Sequence, residues 1–391
     1  MKGIVFLILS IVLLVTYSFK EDETSSIITM TTEQSEVKIY LSGSGTCTID
    51  WGDGETTTGI LLPDGKTRSS IRNHIYADEA IHTITITGGP ITRLGTQWNQ
   101  LTSLDVSKSP ALTNLNCMGN QLTSLNLSKN TALEELSCNG NQFTSLDVSN
   151  NTKLTYLGAN QNEKLTSLDV SKNILLKELY CGYNQLTSLD VSNNTELTHL
   201  LCPNAQITSL DLSKNTKLKR LHCYNNRLKS LDVSNNTELN ELSMGGNEIT
   251  SIDLSKNIML TGINCSNNQI TGLDISNNMK LIYLGCSNNQ LTSIDVSKNT
   301  SLFSFNCSNN QLTTLDMSQN TGLQTLNCKN NNLESDALNI LFGTLHSNKV
   351  MDRFWGTEAQ KKIHTSENPG TESCDQSIAI NKGWEVITTG K

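Results

Sequence analysis

One stretch decides the fold: residues 122–142 read LTSLNLSKNTALEELSCNGNQ, and near-copies of this stretch follow one another along the chain. Eleven copies begin at Leu101, each 21 residues long except the third, which has one extra residue and spans 143–164. A half copy at 91–100 precedes them. A constant period of about 20–29 residues with regularly spaced leucines predicts a solenoid, in which each repeat buries its apolar side chains against its neighbours.

Each repeat divides into two halves with the patterns LTSLDVSxNTx and LxxLxCxxNQ. In both halves the spacing turns three apolar side chains inward, and the last two alternate as they do on a β-strand. Neither half has a long run with a period of about 3.6 residues. The sequence therefore predicts extended chain on both sides of each coil and no full helix on the outer side.

Asparagine recurs at two corners of the repeat. A corner leaves backbone N–H and C=O groups without partners, and a buried side-chain amide can bond both kinds of group. Leaving one such group unsatisfied costs roughly 1–3 kcal/mol, so we interpret both columns as structural. Ala205 interrupts the first column, and the extra residue of repeat three lies at its corner, in 162–164. The first column comprises Asn120, Asn141, Asn162, Asn184, Asn226, Asn247, Asn268, Asn289, Asn310 and Asn331, and the second comprises Asn130, Asn151, Asn173, Asn194, Asn215, Asn236, Asn257, Asn278, Asn299 and Asn320.

Cysteine occupies one repeat position in nine of the eleven copies, and Ala159 and Met244 replace it in the other two. A position that accepts Cys, Ala or Met is a small buried apolar site, where a free thiol behaves as a small hydrophobic group. Stacked side chains that point in parallel are also badly placed for a disulfide. We therefore predict buried free thiols at these positions, with Cys47 and Cys374 outside the column. The column comprises Cys117, Cys138, Cys181, Cys202, Cys223, Cys265, Cys286, Cys307 and Cys328.

The repeats match the leucine-rich-repeat consensus LxxLxLxxNxL, with cysteine in the third apolar place. Over 91–332 the chain resembles the secreted and surface leucine-rich-repeat proteins of bacteria, the internalin-like group broadly. The resemblance implies a mainly β solenoid, a leucine-rich-repeat superhelix of about eleven 21-residue coils. It also implies a binding function without indicating the ligand, because proteins of this kind bind many different molecules.

The first residues are typical of a targeting signal. Lys2 precedes an apolar run from Gly3 to Val15, and Thr16 and Ser18 then place small residues at the −3 and −1 positions of a cut after Ser18. This pattern predicts a signal peptide over 1–18 that is removed on secretion, followed by a polar linker over 19–27. Because the run is short for a span of about 20 residues, we expect no membrane insertion after the signal is removed and a secreted or cell-surface location in a bacterium.

Residues 28–90 alternate apolar and polar side chains between Gly, Pro and Asp turns, a pattern typical of short β-strands. The turn WGDG at 51–54 and the later HIY at 74–76 resemble the PKD-type, Ig-like module of bacterial surface proteins. This resemblance implies a small β-sandwich-like domain that acts as a spacer or a cap. We interpret Asp53 as a turn residue and His74 as a core histidine, in preference to a metal site or an acid–base pair.

Residues 333–391 provide a short α/β cap for the exposed end of the solenoid, which would otherwise expose apolar side chains. Ser335 and Asp336 are placed to cap a helix whose leucines follow at helical spacing. The segment from 368 onward predicts a turn, a short helix and a strand, and it resembles the C-terminal cap of secreted bacterial leucine-rich-repeat proteins. Cys374, Ala379 and Trp384 are interpreted as the core of this cap.

Composition and motifs limit the function. A formal net charge of −8 and a pI near 5.3 argue against nucleic acid, which requires a basic surface. The chain has no GxSxG, HExxH or CxxC motif and no glycine-rich phosphate loop. Ten aspartates recur at one outward position and are interpreted as a solvated face. We therefore predict a non-enzymatic monomer with no cofactor and no metal.

The outward positions of the second half differ between repeats. Most repeats carry few aromatic or charged residues there, as repeat eight shows with Gly262, Asn264 and Ser266. Repeats three to six, by contrast, carry aromatic and charged residues at these positions. Exposed aromatic residues and arginine are the side chains on which binding hot spots depend. The candidate ligand-binding residues are Tyr156, Glu178, Tyr180, Tyr183, His199, Arg220, His222 and Tyr224.

We predict that this surface binds an extracellular or host protein. A glycan is the alternative ligand, because tyrosine, histidine and asparagine also stack on and bond to sugars. A passive role as a spacer is the alternative in which these differences between repeats have no function. Zinc is disfavoured, because strand alternation turns His222 outward and Cys223 inward, so that the two cannot bind the same ion.

Overall fold

The structure is a computed structural model that describes residues 25–63, 70–351 and 357–389. The predicted signal peptide, 1–18, lies outside the described residues, as does most of the predicted linker. Within the described part, the chain forms a β solenoid whose main sheet has sixteen strands, accompanied by two short helices. This architecture confirms the fold class that the repeats predict.

Six strands precede the repeats. In the first sheet, β3 and β1 flank β6, and the buried side chains of Ile49, Ile84 and Ile86 fill its inner face. The indole of Trp51 stacks on the imidazole of His74, with ring centroids 4.7 Å apart, and the hydroxyl of Tyr76 donates to the Trp51 carbonyl. The strands are β1 (Ser26–Thr32), β2 (Glu36–Gly43), β3 (Thr46–Asp50), β4 (Thr56–Ile60), β5 (Ser70–Ile75) and β6 (His82–Gly88).

These strands join the solenoid on two sides. Two strands of the first repeats, β7 (Ile91–Gly95) and β8 (Ser103–Lys108), pair antiparallel with β2 and β1 respectively. The side chain of Asn99 also bonds both the N–H and the C=O of Lys38, at 3.0 and 2.8 Å. A continuous apolar core runs from the N-terminal strands into the coils. The proposed domain limits, 28–90 for the PKD-like module and 91–332 for the repeats, stay predictions.

The second half of every repeat contributes one short parallel strand to the main sheet. Neighbouring strands pair in register, so that Leu179 lies beside Leu200 and Leu200 beside Leu221, all buried. The first and third residues of each strand face outward. The strands are β9 (Asn114–Asn116), β10 (Glu135–Ser137), β11 (Tyr156–Gly158), β12 (Glu178–Tyr180), β13 (His199–Leu201), β14 (Arg220–His222), β15 (Glu241–Ser243), β16 (Gly262–Asn264), β17 (Tyr283–Gly285), β18 (Ser304–Asn306) and β19 (Thr325–Asn327).

The first half of the repeat forms no strand from residue 109 to 332, all of which the structure describes. Local bonds turn the chain there: the Oδ1 of Asp190 accepts the N–H of Ser192 at 2.9 Å, and the same bond recurs at the other aspartates of the column. These bonds lower the pKa of the Asp190 carboxyl. Asn126 accepts the N–H of Ser128 in the same way, so the position requires an acceptor oxygen rather than a charge.

The first asparagine column holds adjacent coils together. The Nδ2 of Asn226 donates to the carbonyls of Cys202 and Cys223, at 2.9 and 3.0 Å, and its Oδ1 accepts the N–H of Ile207. One amide thus bonds three backbone groups in two coils. At Ala205, no amide bonds the equivalent N–H of Leu186. These contacts confirm that the column is structural.

The second column holds the opposite corner. The Nδ2 of Asn236 donates to the carbonyls of Leu212 and Asn215, at 3.1 and 2.8 Å, and the residue is fully buried. All ten members of this column are fully buried and make equivalent bonds. Each coil that carries both asparagines is therefore closed at both corners by a side-chain amide.

The cysteine column lies in the core, as the sequence predicts. All eleven cysteines are free thiols, and the nine of the column are buried. Burial raises the pKa of the thiols of Cys117, Cys202, Cys265 and Cys328 to about 12. These groups are therefore protonated and unreactive at neutral pH.

The C-terminal cap continues the solenoid. Two of its strands extend the main sheet in parallel beyond β19, and Asn368 extends the first asparagine column, since its Oδ1 accepts the N–H groups of Asn331 and Leu333. Ala379 and Trp384 are buried as predicted, whereas Cys374 is only partly buried. The elements are α1 (Ser335–Thr344), β20 (Val350–Met351), β21 (Glu358–Ala359), β22 (Lys361–His364), α2 (Ser377–Ile380) and β23 (Trp384–Ile387).

One prediction for this cap is wrong in detail. Ser335 is the first residue of α1, and Glu334 occupies the capping position without making a side-chain capping bond. The N–H of Leu338 bonds to the carbonyl of Glu334, which fixes the start of the helix one residue earlier than expected.

Ala205→Asn should stabilise the protein by about 1 kcal/mol, because the new amide can bond Leu186, Cys181 and Cys202 as its counterparts do in other coils. The free energy of unfolding can be measured by urea denaturation. Ala205→Asp is the matched control: it has the same shape but no amide donor for the carbonyls. Equal stability of the two variants would contradict the role assigned to the amide.

Acid should destabilise the coils through the aspartate column. The pKa of Asp190, Asp211 and Asp232 is lowered in the folded protein, so the stability they contribute is present above the unfolded pKa and is lost as the pH falls through the folded pKa. A triple Asp→Asn variant keeps the acceptor oxygens but does not titrate. It should match the wild type at pH 7 and retain a higher melting temperature at about pH 3; the corresponding triple Asp→Ala variant should be less stable at both.

Candidate binding face

The outward strand residues form two parallel rows along the main sheet. The first row runs through Glu178, His199 and Arg220 to Glu241, which the register places side by side on successive strands. The third strand position forms the second row, through Tyr180, Leu201 and His222. Seven of the eight candidate residues thus lie in these rows or directly beside them on repeats four to six, and Tyr156 lies on the neighbouring strand.

Tyr156 and Tyr180 are brought into contact, with ring centroids 5.4 Å apart. Tyr156 leans over Gly158, where an added Cβ would lie 3.0 Å from its hydroxyl oxygen. The Tyr180 hydroxyl donates to Oε2 of Glu178 at 2.6 Å. The pKa of Tyr180 is raised well above its usual value, chiefly by burial of the phenol and secondly by this bond to a carboxylate. Two half-buried rings therefore present a fixed aromatic surface.

Tyr183 reaches across one coil to Tyr224, and the two hydroxyl oxygens are 3.2 Å apart. Beneath them, the ring of Pro203 lies against Gly182, where an added Cβ would be 2.4 Å from Cδ of the proline. Gly182 is therefore required by Pro203. The bond to Tyr183 is the main cause that raises the pKa of Tyr224 to about 12, so the Tyr224 phenol is protonated at neutral pH.

Tyr183 has a strained backbone. Its φ is 57°, in the left-handed region that bulky residues rarely adopt. The full repeats other than repeat four place small or polar residues at this corner, as Gly140, Asn225 and Asn267 show, with similar φ values, and Trp98 of the half copy shares the conformation. A bulky residue in this region costs about 1–3 kcal/mol. The side chain of Tyr183 therefore occupies a position where the fold alone would favour glycine or asparagine.

Charged groups at the far end of the face neutralise one another. Oε2 of Glu241 lies 2.7 Å from Nε of Arg220, and Oε1 lies 2.8 Å from Nε2 of His222. Glu241 was not among the predicted residues, although its place in register beside Arg220 could have indicated it. His199 makes a separate contact, between its Nδ1 and the hydroxyl of Thr198 at 2.9 Å.

A shallow notch adjoins this end of the face. It has a volume of about 460 Å³, with Tyr283 on one side, His222 and Glu241 on the other, and Gly262 between them. Tyr283 is not among the candidate residues predicted from the sequence, and Gly262 lies in a repeat without aromatic or charged residues at its outward positions. The missing side chain of Gly262, one coil before an exposed tyrosine, is the signal that could have indicated the notch.

Exposed apolar residues flank the face at the corner before the strands. Most coils have threonine directly after the second asparagine column, whereas Ile174, Ile258 and Met279 stand there and are 54–62% exposed. Leu175 and Met259 follow and are 43–46% exposed. Because these residues lie on repeats four, eight and nine, they border the aromatic residues and the notch. A comparison of repeats at this corner could have found them.

The described residues offer little for catalysis. No group of three or more His, Cys, Asp or Glu side chains within them is arranged to hold a metal ion. His74 and Asp53 do bond, Nε2 to Oδ2 at 2.7 Å, but His74 is packed between Trp51 and Tyr76. No described helix is long and apolar enough to cross a membrane.

The in-register leucines, the amide columns and the short parallel strands define a leucine-rich-repeat protein. Among solved structures, it is similar to the functional domain of InlJ from Listeria monocytogenes, which is described as including a cysteine ladder, with 32% identity and a TM-score of 0.61. The match covers 70% of this chain and 64% of that one, so the present chain spans less than two thirds of its length.

Two further structures show the same fold. An internalin, inlF, from Listeria monocytogenes is 22% identical, with a TM-score of 0.66 over 77% of this chain and 87% of that one. A leucine-rich-repeat protein from Leptospira interrogans is 21% identical, with a TM-score of 0.62 over 75% and 82% of the two chains. No protein-family model matches the chain, and no curated protein matches it.

Tyr183→Asn should stabilise the protein by about 1 kcal/mol, because asparagine adopts the left-handed conformation more readily than tyrosine. Tyr183→Phe is the control: it removes the bond to Tyr224 but keeps the backbone strain, so it should not stabilise. The midpoints of urea denaturation give both values. An Asn variant that is no more stable than the Phe variant would show that the corner is not strained.

Proposed function

We propose that this chain is a non-enzymatic binding protein that uses the outward strand face of repeats three to six to bind a protein partner. The observation that carries this proposal is Tyr183, a strained and exposed tyrosine joined to Tyr224 across an intervening coil. Backbone strain at a bulky residue is typical of functional sites. The candidate residues, Tyr156, Glu178, Tyr180, Tyr183, His199, Arg220, His222 and Tyr224, are the proposed contact surface.

The chemistry of the face supports a protein ligand. Aromatic rings and arginine contribute most of the binding energy in protein interfaces, especially where neighbouring contacts hold them in place. Here Tyr180 is fixed by Glu178, and Arg220 is fixed by Glu241. Preorganised side chains lose less conformational entropy when a partner binds.

The location follows from the proposed targeting signal. We infer that residues 1–18 direct secretion from a bacterium and that the mature protein acts outside the cell or at its surface, as a monomer related to the internalin-like group. The N-terminal strands, Ser26 to Gly88, would serve as a PKD-like cap on the solenoid. Their pairing with the first repeats supports this role for them.

A glycan is the second candidate ligand, and the notch favours it. Tyr283 offers an aromatic ring that is 42% exposed, and Asn264, Ser243 and Glu241 supply polar groups around it. Gly262 leaves room for a sugar ring beside the backbone. A ligand of this kind would contact repeats seven to nine rather than the tyrosines of repeats four to six.

The test is a binding screen of the chain without residues 1–18 against panels of extracellular proteins and glycans. A central variant, with Tyr180, Arg220, His222 and Tyr224 changed to Ser, should lose a protein hit by at least about tenfold in affinity. The matched control changes outward residues of repeats ten and eleven, Ser304, Asn306, Thr325 and Asn327, to Ala, and should bind normally.

Circular dichroism melting establishes that both variants are folded. A hit that survives the central substitutions would overturn the proposed contact surface. A glycan hit lost on Tyr283→Ser would move the site to the notch. A complete absence of hits in both panels would favour a passive spacer.

A further inference from the structure

The notch on repeats seven to nine has the form of a small-molecule site. Its volume of about 460 Å³ lies within the range of roughly 300–1,000 Å³ that is typical of ligand pockets. The opening exists because Gly262 lies in register between Glu241 and Tyr283 and has no side chain. Leu242 and Ile263, whose side chains are buried in the core, complete the lining. The notch is therefore a concave site with a large side chain on each of two sides.

One side of the notch is an aromatic ring that a neighbour holds in place. The ring of Phe303, in the next coil, packs against Tyr283 nearly at a right angle, with centroids 6.4 Å apart and planes at 76°. Tyr283 nevertheless remains 42% exposed. The C–H groups on one face of a sugar ring are attracted to the negative face of an aromatic ring. Tyr283 therefore offers a preorganised surface on which a sugar ring can stack.

The other lining groups are polar and include both donors and acceptors. The Oδ1 of Asn264 accepts the N–H of Ser266 at 3.1 Å, which orients the amide and leaves Nδ2 as a donor. Neither this Nδ2 nor the Oγ of Ser243 forms a hydrogen bond within the part of the chain that the structure describes. Each carboxylate oxygen of Glu241 can accept a second bond beside the one it already has.

The charge of the notch is already compensated. The carboxylate of Glu241 lies 2.7 Å from Nε of Arg220, so an ionic ligand would find no unpaired opposite charge there. An apolar side chain would cover Ser243 and Asn264 without bonding them, which is unfavourable for polar groups that leave water. A neutral hexose has an apolar C–H face and a rim of hydroxyl groups that donate and accept. Such a sugar satisfies the aromatic side and the polar side together.

We propose that the notch binds one neutral hexose ring, stacked on Tyr283 and hydrogen-bonded to Glu241, Ser243 and Asn264. This inference rests on the proposed function of the outward strand face as a binding surface, and it specifies the sugar class and the contacts of its glycan candidate. The hexose site adjoins the protein-contact surface, because His222 belongs to both.

Saturation-transfer NMR with the chain without residues 1–18 tests the proposal. The probes are the methyl glycosides of glucose, galactose and mannose, each titrated through millimolar concentrations. We expect at least one of them to bind with a Kd of about 1 mM. The matched probe for that sugar is its uronic acid, in which a carboxylate replaces the hydroxymethyl group, and it should bind at least about tenfold more weakly.

Gly262→Val locates the sugar by filling the notch. A Cβ at this position would meet only Cγ of Glu241, at 4.0 Å, and valine is favoured in strands, so the variant should remain folded. It should weaken the hexose at least about tenfold. Thr325→Val is the matched control, because it adds the same side chain at the equivalent strand position of repeat eleven, outside the notch, and it should bind normally.

Two substitutions of Tyr283 test the stacking. Tyr283→Ser should weaken the hexose at least about tenfold, whereas Tyr283→Phe keeps the ring and should retain most of the affinity. Circular dichroism melting establishes that each variant is folded.

No binding by any of the three hexoses, or binding that Gly262→Val leaves intact, would overturn the proposal. Its failure can be distinguished from failure of the proposed function. If the central variant loses a protein hit that Gly262→Val retains, and no hexose binds, the protein-contact surface stands without the sugar site. If Gly262→Val removes hexose binding and the protein panel gives no hit, the sugar site stands without the protein-contact surface.

Discussion

The side-chain amide of asparagine is the group on which the rest of this structure depends. In every full coil except the one with Ala205, one amide, such as that of Asn247, donates to carbonyls in two coils and accepts an N–H. A second amide closes the other corner without exposure to water. Because these bonds satisfy the backbone where the chain turns, a core one side chain thick is sufficient, and helices are not needed on the outer side. The side chains at the outward strand positions are not needed for these backbone bonds or for the core, so they are free to differ between coils.

The ends of the solenoid use the same device. Asn99 begins the first column and bonds the backbone of Lys38 in the N-terminal strands, and Asn368 ends it within the cap. Neither residue lies in a full repeat, yet Asn99 satisfies the backbone of Lys38 in the N-terminal strands and Asn368 satisfies the backbone of the last coil. An end of a parallel sheet otherwise exposes unpaired backbone groups and apolar side chains. Here the terminal segments cover both, so the module, the coils and the cap share one continuous core.

The sequence was sufficient for the fold because its signal is repeated. Eleven copies determine which positions are buried, so the cysteine column and both amide columns could be assigned correctly. It was less informative where a feature occurs once. The bond between Tyr183 and Tyr224 joins residues 41 positions apart, and the pairing of Glu241 with Arg220 and His222 depends on strand register. The two halves of the repeat also look alike, but only the structure shows that the first half forms no strand between residues 109 and 332.

The shared strands at the N-terminal end have a mechanical consequence. Because β1 pairs with β8 and β2 pairs with β7, the first strands contact the solenoid on two sides, and Asn99 lies between these contacts. A connection of this kind leaves no single hinge about which the repeats could rotate. The direction in which the tyrosines point is therefore fixed relative to the segment that enters at Ser26. A force applied to that segment would rotate the whole solenoid as a rigid body, because there is no hinge at which it could bend.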